Sequence, residues 1–422
     1  MRSLFLTALL FCSVIMIGQE AVFIPSLLEE DHRYSQSKEE QQLIAESREM
    51  VDYLKGSGYL IQDTTVTDYI RQILYKIRPA ELSGYKNEVY LMRTPEINAF
   101  SLPDGSIVVC LGLLILMENE AQLAFILAHE LAHFIERHGY KHEIFRSKFN
   151  ARKLDKGSVK KAFSDLSVQN EMQADSLGLA LFKKADYDPA SASRSLDLLP
   201  REDTTLYGSF FARALLPELF AKKWPTHPRT DARVSYLSDI ENKAGGFLGE
   251  EIYKSKTAHL WAYNIKLTKG EMNLLDYVAY LEEIRSNLSR SEYYDWLTYE
   301  MGVAYQELYC DPMKTGNLLA EAEKEKIHGK GVYLTTATKG YRTYESSKDF
   351  LESQAQQYFS EIEANPEFNW RINKNKGLIC LQKKDYSCAR EKLNKYINSG
   401  NPITDKRYVS SIIKEIDRIN KK

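Results

Sequence analysis

The sequence predicts a mainly α-helical protein with a small β-sheet in its N-terminal half and an all-α, helical-repeat region in its C-terminal half. Two segments with a helical apolar period precede short extended segments that an Asp-Gly turn connects. From about residue 245 the composition changes to many Tyr, Glu and Lys residues in further helical periods. These three observations indicate an α+β domain followed by a helical extension.

Length and charge limit the number of domains and the kinds of partner. The chain has 422 residues, enough for about two or three domains. Its 56 Lys and Arg residues nearly balance 58 Asp and Glu residues, so the net charge is −2 and we expect no nucleic-acid partner. We predict a signal peptide at residues 1–18, the domain with the sheet at 19–242 and the helical region at 243–422.

The N-terminus has the features of a secretory signal peptide. Arg2 provides a positive start, residues 4–17 are apolar except for Thr7 and Ser13, and Gly18 offers a cleavage point. A membrane anchor is the alternative, although the apolar run is short for a span. We expect an exported protein, periplasmic or otherwise extracytoplasmic, that could associate with a membrane. We expect no transmembrane span in the mature chain, because the later apolar stretches are too short.

The segments before residue 112 are predicted to be supporting elements. Helical periods predict helices at 38–54 and 65–77, and residues 88–92 and 106–110 are predicted to be strands. Asp104-Gly105 lies between extended segments, which is a strong signal for a hairpin. The sheet either only supports the helix that follows it or offers its free edge to an extended substrate by strand addition.

The segment at 119–133 contains the pattern His-Glu-x-x-His in surroundings that are apolar nearly all round, which predicts a buried helix. His129 and His133 are four residues apart, so their rings project from one face, as two imidazole ligands of one Zn²⁺ must. Glu130 follows the first of them and is placed to reach a water molecule at the metal. A chance match is the alternative, but a buried carboxylate between two histidines is costly without a compensating cation.

The same helix is predicted to continue to His138 and to end at Gly139. His138 lies five residues after His133, which turns it off the metal face of a continuous helix. We therefore expect His138 and His142 to be exposed and not to bind the metal. Residues 140–168 are rich in Lys and Arg, which is typical of a solvated lid or loop, and contact with an acidic surface is the alternative.

A second buried helix is predicted near residues 170–180. Glu171 and Asp175 are four apart and share one of its faces. Two histidines leave a tetrahedral zinc one protein ligand short if water takes the fourth place, and Glu171 is the natural third ligand. Asp175 could then accept a hydrogen bond from a ligand imidazole. The alternative is that Glu171 only favours the helix dipole.

Four pieces of the sequence, spanning about residues 85–240, resemble the M48 family of zinc metallopeptidases. The resemblance implies one zinc per chain bound by His129, His133 and Glu171, with Glu130 as the base. It also implies roles near the site for His227, which lies on a proline-flanked loop, and for Arg233. The usual Gly-Gly or Pro-Gly turn of the family is Pro-Asp-Gly here. The pieces are Asn98-Ala99-Phe100 with Pro103-Asp104-Gly105 and Gly112-Leu113-Leu114, then His129-Glu130-Leu131-Ala132-His133, then Glu171 with Asp175, then Thr226-His227-Pro228 with Arg233.

The C-terminal region resembles a tetratricopeptide repeat at residues 375–393, with Gly377 as the small residue of its first helix. Gly302 and the helix near Leu318 could form a degenerate copy, and a plain helical bundle is the alternative. Cys380 and Cys388 either pair or remain free thiols. Several exported members of the family join the same two parts and act in envelope protein quality control, so this region is expected to bind an envelope protein.

The sequence as a whole therefore favours an exported zinc endopeptidase that cleaves misfolded or envelope proteins. Glu130 acts as general base toward water at the zinc, and Arg233 or His227 stabilises the oxyanion. His227 could instead occupy the metal in a resting state. One alternative is a chaperone or scaffold that acts through its helical region, with minor or regulated proteolysis. Another is a zinc hydrolase of small molecules, which fits the motif but not the repeat region.

Overall fold

The computed structural model describes residues 14–17, 20–23, 26–28, 37–151, 156–199, 231–238, 245–288, 291–327 and 343–420. The predicted cleavage point at Gly18 and the candidate site residue His227 lie outside these ranges. The chain divides into two compact units, residues 1–264 and 265–422. The division predicted after residue 242 remains a prediction. Among the described residues, no helix has both the length and the apolar character needed to cross a membrane.

Two capped helices follow a short antiparallel pair of strands, β1 (Val14–Ile17) and β2 (Glu20–Phe23). Helix α1 (Lys38–Ser57) begins at Ser37, whose side chain accepts the N–H of Glu40. Helix α2 (Thr64–Ile77) begins in the same way at Asp63. These side chains satisfy N–H groups that a helix leaves open at its start. The two helices predicted at 38–54 and 65–77 are confirmed.

A three-stranded sheet lies next to them in the order β3-β5-β4. Strand β3 (Val89–Met92) runs parallel to β5 (Ile107–Cys110), and β4 (Ala99–Ser101) runs antiparallel to β5. The predicted Asp-Gly turn connects β4 to β5, and Gly105 takes the left-handed conformation there with φ 84°. Strand β4 is thereby placed at an edge of the sheet.

The His-Glu-x-x-His segment forms α4 (Glu120–Ile135), which follows α3 (Leu111–Leu116) and is buried along its whole length. Asn119 caps its start by accepting the N–H of Gln122. The prediction that this helix continues to His138 is wrong. Arg137 takes a left-handed conformation with φ 58°, and a new helix, α5 (His138–Ala151), begins immediately after it. The left-handed residue interrupts the helix, and a helical period in the sequence cannot reveal such an interruption.

Further helices complete the first unit. Helix α6 (Lys156–Lys184) follows α5, so the loop predicted over residues 140–168 is wrong. Lys141, which we expected to be solvated, is fully buried beside Glu136. The Lys and Arg residues misled the prediction because long basic side chains also occur on helices. Further α-helices in the part of this unit that the structure describes are α7 (Ala190–Leu198), α8 (Asp231–Ser238) and α9 (Glu250–Thr257).

The second unit is helical throughout its described residues. Its helices are Trp261–Glu271, which begins in the first unit, Leu274–Asn287, Glu292–Cys310, Pro312–Ile327, Tyr344–Ile362, Pro366–Gln382, Tyr386–Ile397 and Lys406–Ile419. Gly377 faces Leu393 so closely that a Cβ atom there would lie 2.8 Å from the leucine side chain. Gly302 packs against Phe359 of Tyr344–Ile362. The tetratricopeptide resemblance remains a prediction.

The structure settles the state of the cysteines in its described part. Cys380 and Cys388 form a disulfide, which resolves the alternative left open by the sequence. Cys110 is a buried free thiol and Cys310 a half-buried one. Burial raises the pKa of the Cys110 thiol well above its usual value, as expected for an inert core cysteine.

Candidate metal centre

The candidate metal centre forms where α4 and α6 pack closely together. Gly178 of α6 lies directly over the backbone of His129: a Cβ atom at residue 178 would be 3.0 Å from both its N and Cα atoms. Only a residue without a side chain permits this approach without displacement of a helix. The contact brings the predicted ligand face of α4 against the face of α6 that carries Glu171.

Three buried side chains converge at this contact. The Nε2 atoms of His129 and His133 lie 3.1 Å apart, and each lies 3.4 Å from a different carboxylate oxygen of Glu171. Donor atoms at 2.0–2.1 Å from a tetrahedral Zn²⁺ would be roughly 3.3–3.4 Å apart. These residues are also the one group among the described residues that meets the distance requirement for a metal ion. The donor set and its spacing therefore fit a metal ion.

Asp175 and Arg233 contact the metal ligands: Asp175 lies beside His129, and Arg233 lies beside Glu171. Nδ1 of His129 lies 2.9 Å from Oδ1 of Asp175, as predicted from the spacing in the sequence. Arg233, in the first turn of α8, donates to both carboxylate oxygens of Asp175 at 2.7 Å, and its Nη1 lies 3.1 Å from Glu171. Three guanidinium nitrogens thus face the carboxylates. This arrangement orients Glu171 and Asp175 and links α8 to α6.

His138 lies in the same cluster, contrary to the prediction that it is exposed. It is only 2% exposed, and its Nδ1 lies 2.8 Å from Nδ1 of His133. Its Nε2 lies 3.1 Å from Oε1 of Gln173. His142 is not exposed either: it is half-buried, with its Nε2 2.9 Å from Nδ2 of Asn170. The prediction failed because the turn at Arg137 returns the chain toward His133.

A buried ion pair holds that turn in place. Arg137 donates from Nη2 to Oε2 of Glu40 on α1, and both residues are buried. A left-handed conformation is unfavourable for a residue with a side chain and persists where its surroundings impose it. The ion pair therefore helps to fix the position from which His138 reaches His133.

Glu130 is held at the edge of the sheet. It is only 2% exposed, and its Oε2 accepts the backbone N–H of Ser101 in β4 at 3.1 Å. In the antiparallel register, the N–H of Cys110 donates to Asn98 and the N–H of Leu102 donates to Ser106. Because backbone groups alternate in direction along a strand, those of Ala99 and Ser101 point away from β5. The carboxylate thus lies on the outer edge of β4.

A small cavity adjoins the cluster on the His133 side. Its volume is ≈ 40 Å³. The cavity touches the metal cluster at His133, the edge strand at Ser101 and the turn at Arg137. Apolar side chains form much of the remaining wall, among them Leu43, Leu102, Phe134 and Tyr140.

The charges in the cluster shift the pKa values of its members. Burial alone would lower the pKa of His129, but its contacts with Asp175 and Glu171 raise that pKa to about 9. Burial alone would raise the pKa of Asp175, but Arg233 and His129 hold it below its usual value. Burial lowers the pKa of His138 well below 6.5. In the metal-free protein the cluster therefore favours an ionised Asp175 and a neutral His138.

Comparisons with known proteins agree with this geometry. Residues 63–152, from the cap of α2 through α5, match the model of peptidase family M48. The chain is 26% identical to the β-barrel assembly-enhancing protease of Escherichia coli K12 over 272 residues, which are 55% of this chain and 52% of that protein. It is 32% identical to the mitochondrial metalloendopeptidase OMA1 of Schizosaccharomyces pombe over 140 residues, 30% of this chain and 42% of that protein.

Residues 63–152 therefore have the sequence features of M48 metallopeptidases. The OMA1 protein of Arabidopsis thaliana is also 32% identical, over 124 residues that are 27% of this chain and 26% of that protein. The chain spans about half the length of the bacterial relative it matches. The matched family region contains the two histidines and Glu130 but ends before Glu171. The structure brings Glu171 to the M48 histidines through the packing of α6 on α4.

The structure gathers most of the predicted site residues into one cluster. It brings together His129, Glu130, His133, Glu171, Asp175 and Arg233. His227 lies outside the described residues, so its predicted role remains a prediction. Sequence reasoning missed His138, Gln173 and the N–H of Ser101. The His-Glu-x-x-His spacing carries no signal for these groups, since each arrives through a turn, a second helix or a strand edge.

Proposed function

We propose that this chain is an exported zinc-dependent endopeptidase that cleaves peptide bonds in misfolded or envelope proteins. The observation that carries the proposal is the buried triad of His129, His133 and Glu171, with Glu130 held beside it on the edge of β4. Two imidazoles and a carboxylate with an open fourth position are typical of catalytic zinc sites. The names of the M48 relatives, a protease and metalloendopeptidases, support the reaction class.

The triad supports zinc in particular because of its donor atoms. Imidazole nitrogen suits Zn²⁺, whereas Mg²⁺ and Ca²⁺ prefer oxygen ligands. A zinc ion at the triad would polarise the scissile carbonyl and make water more acidic. His129, His133 and Glu171 are held for this task by partners on α5, α6 and α8. Little reorganisation of the protein is needed for the triad to bind the ion.

Glu130 is the proposed general base. Its carboxylate takes a proton from the attacking water at one oxygen and later delivers it to the nitrogen of the leaving amine. The N–H of Ser101 holds the other oxygen at 3.1 Å and fixes the orientation of the carboxylate. Arg233 faces Asp175 and Glu171, which favours a positioning role for it, and His227 is then the remaining candidate for oxyanion stabilisation.

The edge of β4 is the proposed substrate site. The backbone groups of Ala99 point away from β5, on the same side as the Ser101 N–H that binds Glu130. An extended peptide could add to this edge as a further strand and bring its scissile bond beside the base. Recognition through the substrate backbone is independent of side-chain sequence, which suits the cleavage of misfolded proteins.

The proposed extracytoplasmic location rests on features outside the metal centre. Residues 1–18 have signal-peptide character, and Cys380 is paired with Cys388 in a disulfide, which is typical of proteins outside the cytoplasm. The bacterial relative is named for β-barrel assembly, so an envelope location and envelope substrates are the natural extension to this chain. Residues 243–422 are the proposed binding region for an envelope protein partner.

The decisive experiment is the degradation of an unfolded model protein, such as reduced casein, by the purified full chain with bound zinc quantified. We expect cleavage by the wild type, about one zinc per chain in both wild type and Glu130→Gln, and loss of cleavage in the variant. The exposed Glu251→Gln variant is the matched control and should cleave normally. Absence of zinc in the wild type would refute the metal site, and cleavage by Glu130→Gln would refute the assigned base.

If zinc is bound but the wild type does not cleave, His227 becomes the residue to change. A histidine that occupies the metal in a resting state would block the position of the attacking water. His227→Ala should then raise basal proteolysis. A fall in activity would instead support His227 as a donor to the oxyanion.

A further inference from the structure

A hydrogen-bond chain of an amide and an imidazole leads from α6 to the second histidine of the triad. Oε1 of Gln173 lies 3.1 Å from Nε2 of His138, and Nδ1 of His138 lies 2.8 Å from Nδ1 of His133. His138 and His133 are 2% and 8% exposed, so water has little access to either ring. The first histidine is held differently, through Nδ1 at 2.9 Å from the carboxylate of Asp175.

The positions of the hydrogens follow from the chemistry of these atoms. A carbonyl oxygen only accepts, so Nε2 of His138 carries a hydrogen and donates it to Gln173. A neutral imidazole has one N–H, which leaves Nδ1 of His138 as an acceptor. The neighbouring Nδ1 of His133 must then be the donor. In the neutral ring that a metal ligand requires, Nε2 of His133 then presents a lone pair toward His129 and Glu171.

The opposite arrangement would be unfavourable for a metal. If Nδ1 of His138 carried the hydrogen, Nδ1 of His133 would accept it and Nε2 of His133 would hold the only N–H of its ring. That N–H would point into the triad, where a zinc ligand needs a lone pair. The identity of the group facing Nε2 of His138 therefore decides the tautomer of His133.

We infer that Gln173 and His138 are positioning residues that fix His133 as the Nδ1–H tautomer and thereby set the metal affinity of the triad. The inference rests on the proposed zinc site. Helix α6 then provides one ligand, Glu171. It also determines the orientation and protonation of both ligand histidines. It acts on His129 through Asp175 and on His133 through Gln173. The two histidines are held by different means: a carboxylate for the first and an imidazole followed by an amide for the second.

The test compares zinc affinity, by competition with a chelator, for the full-chain wild type and variants at residue 173. Gln173→Met keeps the length of the side chain but removes the acceptor, and we expect it to weaken zinc binding by roughly 10–100-fold, as is usual for groups that orient a ligand. Gln173→Glu restores an acceptor and should stay close to wild type. Gln306→Met, a buried amide in the helical unit, is the matched control and should not change affinity.

A spectroscopic measurement separates a tautomer effect from a loss of stability. Nitrogen NMR of metal-free protein labelled in histidine should show His133 protonated at Nδ1 in wild type and Gln173→Glu, and a mixture of tautomers in Gln173→Met. A wild-type spectrum in which His133 is protonated at Nε2 would by itself overturn the inference. This measurement therefore decides the question even if a variant does not fold. Equal zinc affinity of wild type and Gln173→Met would also overturn it, whereas a wild type without zinc affinity would refute the proposed function instead.

Discussion

Arg233 donates to both carboxylate oxygens of Asp175 at 2.7 Å, and both side chains are almost completely buried. The two residues are 58 positions apart in the sequence. The pair therefore fastens α8 to α6 directly behind the metal ligands. Its geometry, a planar fork on a carboxylate, is one that lysine cannot reproduce.

Replacement of Arg233 should destabilise the protein strongly. In Arg233→Met the buried charge of Asp175 loses its partner, and removal of one member of a buried pair costs about 3–5 kcal/mol. Arg233→Lys should recover only part of this loss. Urea unfolding of the metal-free protein measures the effect, with the exposed Arg418→Met as control. A cost below about 1 kcal/mol would show that the pair behaves as a surface ion pair.

Replacement of Gly178 should separate the two helices that form the metal centre. The added methyl group of Gly178→Ala would meet the backbone of His129 at 3.0 Å, and backbone cannot move aside as a flexible side chain can. We expect lower zinc affinity together with lower stability, because Glu171 moves away from the histidines. Zinc titration and thermal unfolding test this.

Gly316→Ala is the control for a glycine inside a helix, since the added Cβ meets nothing within 4 Å apart from adjacent residues of its own helix. It should leave zinc affinity unchanged and could raise stability slightly, because alanine favours helices by up to about 1 kcal/mol over glycine. Equal zinc affinity of Gly178→Ala and wild type would show that α4 and α6 can adjust their separation without cost to the site.

Glu96 should make the stability of the protein depend on pH. Burial raises the pKa of its carboxyl from 4.5 to about 8. Between these values the folded protein holds a proton that the unfolded chain has released, so the free energy of unfolding falls as the pH rises from about 4.5 to about 8. Above that range the contribution no longer changes with pH.

Denaturant unfolding of the metal-free protein across this pH range should show a smaller decline for Glu96→Gln than for wild type, because glutamine does not ionise. The difference between the two proteins isolates Glu96 from the titrating groups of the metal centre. Glu251→Gln, which changes an exposed glutamate, should follow the wild type. Parallel curves for Glu96→Gln and wild type would mean that Glu96 ionises normally in the folded state.

Removal of the disulfide should lower the stability of the helical region. Cys380 and Cys388 close a loop with a sequence separation of 8 and join the helices Pro366–Gln382 and Tyr386–Ile397. A cross-link of this size stabilises by roughly 2–3 kcal/mol, chiefly by restricting the unfolded chain. Cys388→Ser, or reductant added to the wild type, should lower the unfolding midpoint. Reductant should have no further effect on Cys388→Ser, and Cys310→Ser should respond to it as the wild type does.

The local elements were predictable because their signals are local. Apolar periods predicted the first two helices and the Asp-Gly turn predicted the hairpin, since both signals depend on residues only a few positions apart. The four-residue spacing in α4 and in α6 likewise placed each pair of site residues on one face of a helix. These assignments required no knowledge of how the helices pack.

The wrong prediction for His138 arose where a single backbone conformation changed the direction of the chain. The left-handed conformation at Arg137 ends α4 and returns His138 to His133, whereas the helical period carried past that point predicts exposure. The partner that favours this conformation, Glu40, is 97 residues away in the sequence. No local pattern contains that information.

The sequence by itself therefore determined the chemistry of this protein: which side chains could bind a metal, which could act as base, and which helix carries each. The tertiary structure decided how they are held. The closeness of α4 and α6 at Gly178, the pairing of Arg233 with Asp175 and the chain from Gln173 to His133 all join residues far apart in sequence. Helix periodicity is set by bonds between near neighbours, but the tautomer of a ligand and the orientation of a carboxylate depend on contacts that form only when the helices pack.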